Sequence, residues 1–575
     1  MPSSKPASPG IRWRTNSLIN KPKNILATKT GPLQYSVKMI EIFKNQLLLS
    51  LFSVVVSAAE IAVTTHHDEL DLPASGGTGI SLREAIRDAA PGDTIIFDAS
   101  LNGMMFQIPE DSSFIFDKSL TIDGSDLASG VSIRPHYLKV EAGVTMEFRK
   151  VNFSSLSRYP QPCIENLGIL KMQDCKVSNS SALDNAFFLN KGELLLKRTD
   201  FIDNHSSDAD SFGRCAGITN SGTATIEECL FQGLYADLGG EGSVFENYGM
   251  LTVINTTVHD VIGYKSAIYN DPSATLHLTN FTISQVRALA PWSSVLTNRG
   301  QATLSHCTIT DNSSEESVFV ESPPLDYVVP AVENSGTMHL LGNIIRDNYT
   351  LGWDDSWHYY VLGEGDFGSG EGTHSLGGNI IGSLPDHSLF VASGDQMGIA
   401  NPINLAPLGY YGGLTPTRLP HPGSVAINNA MSSSVTDDQR GLLRNGQPDS
   451  GATEYQVDMD LVHFWDSDFD RDGMQLGVEY LIGTDPLAFD VNAPEAVIVS
   501  KENGAAPIIS FGYDPEALAE ADLILKRSTD LNVFTEIYST VDGALPGVDA
   551  SHYEITDPSG EKSKAFYRLE AVLKE

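Results

Sequence analysis

Asn-x-Gly recurs six times between residues 166 and 336, at Asn166-Gly168, Asn190-Gly192, Asn220-Gly222, Asn247-Gly249, Asn298-Gly300 and Asn334-Gly336. Asn270 begins a variant unit in which Asp-Pro-Ser replaces the glycine step. Successive asparagines are 24, 30, 27, 23, 28 and 36 residues apart, and repeats of this length are a mark of stacked architectures. Aligned on the asparagine, apolar residues fall on alternate positions. Two residues before it stand Ile164, Phe188, Ile218, Phe245, Ile268, Leu296 and Val332; six after it, Met172, Leu196, Ile226, Val253, Leu304 and Leu340. Eleven after it come Val177, Phe201, Phe231, Val258, Ile309 and Ile345, while the variant unit regains register with Leu276, Leu278, Phe281 and Ile283.

Period-2 alternation in short runs describes about three strands per unit. One such unit cannot bury its own apolar side chains, whereas stacked units share a core and pair each strand with those above and below. The predicted fold class is therefore all-β, a right-handed parallel β-helix. A helical-hairpin solenoid would need a period of 3.6, and none is present. Asparagine suits the repeated turn because it tolerates left-handed backbone and can hydrogen-bond along a stack. Glycine two residues later is expected to supply a positive φ. Asp203-Asn204, Asp311-Asn312 and Asp347-Asn348 mark repeated strand ends.

The register also orders the cysteines. Cys175, Cys229 and Cys307 each lie nine residues after their asparagine, a place held by Thr199 and Thr256 in other units. Coils stack about 4.8 Å apart, so even the nearest of these pairs is roughly 9–10 Å apart, beyond disulfide reach. Small buried thiols are the expectation for this column, and Cys163 and Cys215 remain open. Upstream, Ile95-Ile96-Phe97, Leu120-Thr121-Ile122 and Val144–Phe153 read as earlier rungs. Ser81-Leu82-Arg83-Glu84 is a capping box, Leu82, Ala85, Ile86 and Ala89 form one apolar face, and Pro91-Gly92 stops the helix. A solenoid needs a cover over its first open rung, and this helix suits that role.

Residues 1–38 carry seven Lys or Arg and no acid, then Met39 and Lys44 precede the apolar run Leu47–Val56 and the small residues Ser57, Ala58 and Ala59. This is the plan of a secretory signal peptide, expected to span 39–59, with 1–38 a non-native extension upstream of a start at Met39. An N-terminal membrane anchor is the alternative. The chain carries 37 basic against 73 acidic residues; without residues 1–59 the net charge becomes −43. No basic stripe exists for nucleic acid, and no transmembrane segment is expected after signal removal. The localisation expected is extracellular, secreted or at the cell surface.

Two further regions follow the predicted β-helix domain, 60–456. In 457–490, Asp468, Asp470, Asp472, Gly473 and Glu479 match loop positions one, three, five, six and twelve of a calcium loop, and hard oxygen ligands select Ca²⁺. A solvated acidic turn is the competing reading. Residues 491–575 read as a small β-sandwich-like domain, with strand candidates at 496–500, 507–512, 523–527, 534–538, 552–555 and 565–572.

Ile80-Ser81-Leu82-Arg83-Glu84-Ala85-Ile86, then Pro91-Gly92-Asp93-Thr94-Ile95, resembles the CSLREA start of bacterial secreted β-helices, with Ile80 in place of the usual cysteine. Phe201-Ile202-Asp203-Asn204 resembles the repeat of polymorphic outer-membrane proteins. Gly412-Gly413-Leu414-Thr415-Pro416-Thr417, Asp438-Gln439-Arg440-Gly441, Arg444 and Asp449-Ser450-Gly451-Ala452-Thr453-Glu454 resemble the end of the choice-of-anchor Q family. The calcium loop resembles those of dockerins and thrombospondin type 3 regions. These resemblances imply a pectin lyase-like fold, surface exposure and adhesion, and they imply no shared catalytic residue.

Polysaccharide cleavage needs acid and base groups converging on one groove, and no such motif is legible. Asp208, Asp210 and Arg214 share a widened turn, but turns of an acidic solenoid are acidic anyway. Trp353, Asp354, Asp355, Trp357, His358, Tyr359 and Tyr360 form the better candidate, an aromatic insertion after the last regular coil whose rings can stack on sugars. Alternatively these aromatics fold back over the end of the helix. The expected function is recognition of an extracellular polysaccharide or surface glycan, adhesin-like and with Ca²⁺ as cofactor; the alternative is a polysaccharide lyase or glycoside hydrolase.

Overall fold

The computed structural model describes residues 58–455 apart from 73–76, 110–112, 159–161, 184–185, 208–214, 238–239, 291–292, 316–327, 354–358, 369, 385–386, 399–402, 422 and 445. In the C-terminal part it describes 475, 478, 482 and strand-bearing stretches between 497 and 573. Alternation closes the chain into a parallel β-solenoid built from three sheets of twelve, nineteen and ten strands. We call them A, B and C. Each coil runs C, A, B: Ile164–Asn166 lies in C, Ile169–Gln173 in A, and Lys176–Ser178 and Ser181–Leu183 in B. Every strand pairs in register with its counterparts in neighbouring coils, as Leu196 does with Met172 and Ile226. All the alternate apolar residues named above face inward, none more than 2 % exposed.

The repeated asparagines form a continuous ladder inside the stack. Asn166 Nδ2 donates to Asn190 Oδ1 at 2.7 Å, Asn190 to Asn220 at 2.7 Å, Asn220 to Asn247 at 2.9 Å and Asn247 to Asn270 at 2.8 Å. Asn270 continues to Asn298 and Asn298 to Asn334, and Asn334 ends the row on Thr373 Oγ1. The other amide hydrogen reaches a backbone carbonyl of the next coil, such as Met250 O from Asn220, so these buried amides are well satisfied.

The accompanying glycines serve a different purpose from the one expected. None of Gly168, Gly192, Gly222, Gly249, Gly300 and Gly336 has a positive φ. They are required by close approach instead: a Cβ on Gly192 would meet Gly168 O at 2.0 Å, and one on Gly222 would meet Gly192 O at 2.1 Å. Left-handed backbone occurs at two other columns. One is the A-to-B turn, at Asp174, Arg198, Glu228, Asn255, Asn280 and His306; the other bends sheet B, at Asn179, Asp203, Asp260, Gln285, Asp311 and Asp347. That second bend divides most B segments in two, though Thr257–Gly263 and Thr282–Ala288 run through it as single strands, and it accounts for the sheet's larger strand number.

All five cysteines are free and buried. Cys229 Sγ accepts from Thr199 N at 3.4 Å, Thr256 Oγ1 from Cys229 N at 3.2 Å, and Asn343 Oδ1 from Cys307 N at 2.9 Å. The column thus needs a small side-chain acceptor for the turn N–H of the coil below, and Cys, Thr and Asn all supply one. Burial pushes the Cys175 and Cys307 thiols up to about 12, so they are inert at neutral pH. Cys163 N bonds Phe187 O and Phe187 N bonds Cys215 O, which sets Cys163 and Cys215 two rungs apart and unable to pair.

At the N-terminal end, helix Leu82–Asp88 carries the capping box: Ser81 Oγ accepts from Glu84 N, and Glu84 Oε2 accepts from Ser81 N. Leu82 and Ile86 meet Phe114, Phe116, Ile122 and Phe148 of the first rungs around one apolar seam. Lys118 Nζ donates to the carbonyls of Arg87 and Ala89, where the helix ends.

After the last rungs the chain turns back along the outside of sheet B over residues 403–455. Asn280 Nδ2 donates to Asp437 O, Thr282 Oγ1 to Gln439 Oε1, Gln439 Nε2 to Thr257 Oγ1, and Ala452 N to Thr308 Oγ1. Ile403 and Ala426 cover Ile344 and Ile380. The Asp-Gln-Arg-Gly and Gly-Ala-Thr-Glu segments tie this strap together. Asp438 Oδ2 accepts from Arg440 Nη2 at 2.6 Å and from Glu454 N at 2.9 Å, Arg440 Nη2 also reaches Glu454 O, and Arg444 pairs with Glu454. The Asp438 and Arg440 side chains are completely buried. These motif residues therefore do structural work, fastening the strap.

In the C-terminal part, Val497–Ser500, Ile508–Gly512, His552–Thr556 and Gly547–Asp549 form one antiparallel sheet. Thr535–Ser539, Ala521–Ser528 and Phe566–Leu573 form another. Ile509, Phe511, Leu523, Leu525 and Ile555 share their core with Val478.

Candidate functional site

The three turns of each coil differ in how tightly they are held. The C-to-A turn is fixed by the asparagine ladder and the glycine contacts. The A-to-B turn is fixed by the left-handed residue and the Cys/Thr/Asn column. Most of the variation in coil length falls in the B-to-C turn. Its connections range from two residues, 264–265, to sixteen, 316–331. Insertions in solenoids collect where stacking does not forbid them, and that face is commonly the binding face.

Both candidate loops fall on this turn. Asp208, Asp210 and Arg214 belong to the 208–217 connection and lie outside the described residues. The aromatic insertion is a β-hairpin: Tyr349–Trp353 pairs in parallel with Ser313–Glu315 and antiparallel with Tyr359–Glu364, bringing Trp353 opposite Tyr359 and Tyr360 opposite Gly352. Asp354, Asp355, Trp357 and His358 lie outside the described residues. The hairpin follows the last coil that carries the Asn-x-Gly signature, and further rungs lie beyond it. Rungs at Phe367–Gly368, Thr373–Ser375, Ile380–Ile381 and Gln396–Met397 come after it. Those rungs lack the Asn-x-Gly signature, which is why they were not recognised.

Asp366 anchors the hairpin's base. It ends a second interior ladder, in which Asn312 Nδ2 donates to Asn348 Oδ1 and Asn348 Nδ2 to Asp366 Oδ1, each at 2.9 Å. Asn348 N and Ser383 N also donate to this carboxylate. Burial outweighs these donors and pushes its pKa up to about 6. Because the folded value lies above the unfolded value of about 4, the folded state prefers the protonated acid. Its contribution should be fully present below pH 4 and lost as pH rises through 6, by about 3 kcal/mol. Comparing the native chain with Asp366→Asn by chemical denaturation at pH 4 and pH 7 checks this. The native chain should lose more stability than the variant over that interval; parallel behaviour would disprove the assignment.

On the outer side of sheet C, next to the C-to-A turn, residues of several coils cluster; Thr219, Glu246, Tyr269 and Thr297 are buried there and Tyr248 is 38 % exposed. Glu165, Thr219, Glu246, Tyr269, Thr297 and Glu333 stand in one column, with the turn residues Lys191, Tyr248, Asp271 and Arg299 next to them. Glu165 accepts from Tyr137 Oη at 2.7 Å and from Lys191 Nζ at 3.3 Å. Glu246 accepts from Thr219 Oγ1 at 3.1 Å and Glu241 N at 3.0 Å, and bonds the Tyr248 phenol. Tyr248 and Tyr269 have ring centres 6.2 Å apart, and the Arg299 guanidinium lies 5.5 Å from the Tyr269 ring. Burial, with Glu246 nearby, raises the Tyr248 pKa, and burial raises that of Tyr269. Both phenols therefore stay neutral near pH 7, suited to stacking and hydrogen bonding rather than to proton abstraction. Sequence reading passed over this cluster, although the alternation around each asparagine already directs Glu246, Tyr269 and Glu333 outward.

The calcium-loop residues Asp468, Asp470, Asp472 and Glu479 lie outside the described residues, and no group of three or more His, Cys, Asp or Glu placed to hold a metal occurs among the described ones. Among those same residues, no helix is long and apolar enough to cross a membrane.

The fold and this surface define a parallel β-solenoid with one variable edge. No protein-family model and no curated protein matches the chain. Among solved structures, the crystal structure of pectate lyase Pel9A is similar with a TM-score of 0.38 and 12 % sequence identity, over 70 % of this chain and 98 % of that one. The resemblance to the CSLREA and choice-of-anchor Q groups rests on the quoted motifs alone.

Proposed function

We propose that this chain is a secreted or cell-surface protein that binds an extracellular polysaccharide or surface glycan along sheet C and the adjoining loops. The observation that carries this reading is the cluster of Tyr248, Tyr269, Arg299 and Glu246, drawn from successive coils on the outer side of sheet C and its C-to-A turn. Aromatic rings give flat apolar faces for sugar rings, and Glu and Arg supply hydrogen bonds to hydroxyls. The strong net negative charge works against a polyanion at long range, which favours neutral glycans.

The mature chain would be incubated with a panel of neutral and acidic polysaccharides, reading both retention and new reducing or unsaturated ends. Retention without new ends is expected, weakened roughly 10-fold by Tyr248→Ala, the size of a lost aromatic anchor. New ends would favour the lyase or hydrolase alternative. Retention untouched by Tyr248→Ala would move the site elsewhere.

Two accessory roles belong to this reading. The helix Leu82–Asp88 closes the first rung against solvent and against strand addition at an open end. Asp468, Asp470, Asp472 and Glu479 hold one Ca²⁺. In support, the donors are hard oxygens at calcium-loop spacing, and Val478 and Ile482, on either side of Glu479, pack with the core of the C-terminal sheets. Calcium should therefore protect residues 457–490 from protease relative to chelator, and more than magnesium does. Equal cutting would refute the site.

A further inference from the structure

The second of the chain's two units begins at Ala58. Its first ladder bond runs from Thr94 N to Ala59 O at 2.9 Å, and the strand Glu60–Val63 then pairs in register with Thr94–Phe97. Asp93, almost wholly buried, has both oxygens aimed at backbone N–H groups: Oδ1 accepts from Ala59 N at 2.9 Å, and Oδ2 from Ala90 N at 2.7 Å. Those bonds, Ala59's first, hold the Asp93 carboxyl below its ordinary pKa. Ala59 itself is exposed.

We propose that a signal-peptidase-class endopeptidase hydrolyses the Ala58–Ala59 bond, and that Asp93 is the receptor for the new N-terminus. Water adds across the peptide bond, leaving a carboxylate on Ala58 and an ammonium on Ala59. This rests on the reading of the chain as exported, and is independent of what sheet C binds. Ala58 supplies the small residue directly before the cut, at the end of the apolar run Leu47–Val56. The cut lies one residue before the boundary that composition suggests.

Geometry selects this bond over its neighbours. A cut after Ala59 would remove the N–H that Asp93 holds and the carbonyl that Thr94 bonds. A cut after Ser57 would set the ammonium one residue beyond Asp93. Only a chain beginning at Ala59 keeps every first-rung bond and turns the 2.9 Å amide contact into a charge-assisted one, which is shorter and stronger. The effect is to pin the N-terminal edge strand of sheet A, which among the described residues has a neighbour on one side alone.

The whole chain would be expressed in a secreting bacterial host and the exported protein sequenced from its N-terminus. Ala59 is expected as first residue; any other first residue, or no export, overturns the proposal. Chains starting at Ala58 and at Ala59 would then be compared by hydrogen exchange at the Thr94 amide. Exchange should be up to about 5-fold slower in the Ala59 chain, the scale of an ion pair near the surface. That difference should vanish in Asp93→Asn. Equal exchange in the two unsubstituted chains, or a difference that survives Asp93→Asn, would refute the role of Asp93. Loss of glycan binding with an Ala59 terminus intact would count against the sheet C site alone.

Discussion

Leu196→Asp should abolish the native unfolding transition of the solenoid. Leu196 is buried between Met172 and Ile226, with Phe201 and Phe231 in the same core. The substitution loses about 2–3 kcal/mol of apolar burial and places a carboxylate where no partner exists, costing several more. Domains of ordinary stability have only about 5–15 kcal/mol in total. Each coil is supported only by its neighbours, so the break should propagate to the adjoining rungs. Leu195→Asp is the control, because Leu195 points outward from the same strand, and it should change stability by less than about 1 kcal/mol. Asn220→Ala should fall between the two. It leaves Asn190 Nδ2 and Asn247 Oδ1 short of a partner, at about 1–3 kcal/mol per unsatisfied group. Thermal or chemical denaturation of the three variants checks the order. Equal midpoints for Leu195→Asp and Leu196→Asp would refute the inward register.

Asp438→Asn should release the strap while leaving the coils folded. Arg440 and Asp438 have fully buried side chains, and removing one charge strands the other. Breaking such a pair typically costs about 3–5 kcal/mol. The loss falls on residues 403–455, which sheet B holds through Gln439, Asp437 and Ala452. Trypsin cutting at Arg418, Arg440 and Arg444 should therefore rise by at least about 100-fold, as expected when local opening becomes easier by some 3 kcal/mol. Replacing both Asp438 and Arg440 with apolar residues of similar size should restore most of the protection, since the pair's value lies in mutual neutralisation. Unchanged cutting in Asp438→Asn would show that the strap is held by other contacts.

Much of this protein was determined by sequence alone because stacking repeats a local rule. Alternation sends Ile164, Met172 and Val177 inward, and the same rule applied three coils and 81 residues later sends Phe245, Val253 and Val258 inward. Ser81 and Glu84 announce their capping box because both partners lie within one turn of helix. The asparagine ladder was legible because its members recur at one register position. What required the tertiary structure depends on atoms brought together from different coils. Gly192 and Gly222 were assigned a positive φ from local chemistry, yet their constraint is the carbonyl of the preceding coil, which no local pattern reveals. The Asp438–Arg440 knot reads as a motif, but its place against Asn280 and Thr282 spans 157 residues of chain. The surface of Tyr248, Tyr269 and Arg299 exists only because successive coils superimpose. The unequal repeat lengths were visible in the sequence, but their assignment mostly to one turn follows from the cross-coil bonds that hold the other two.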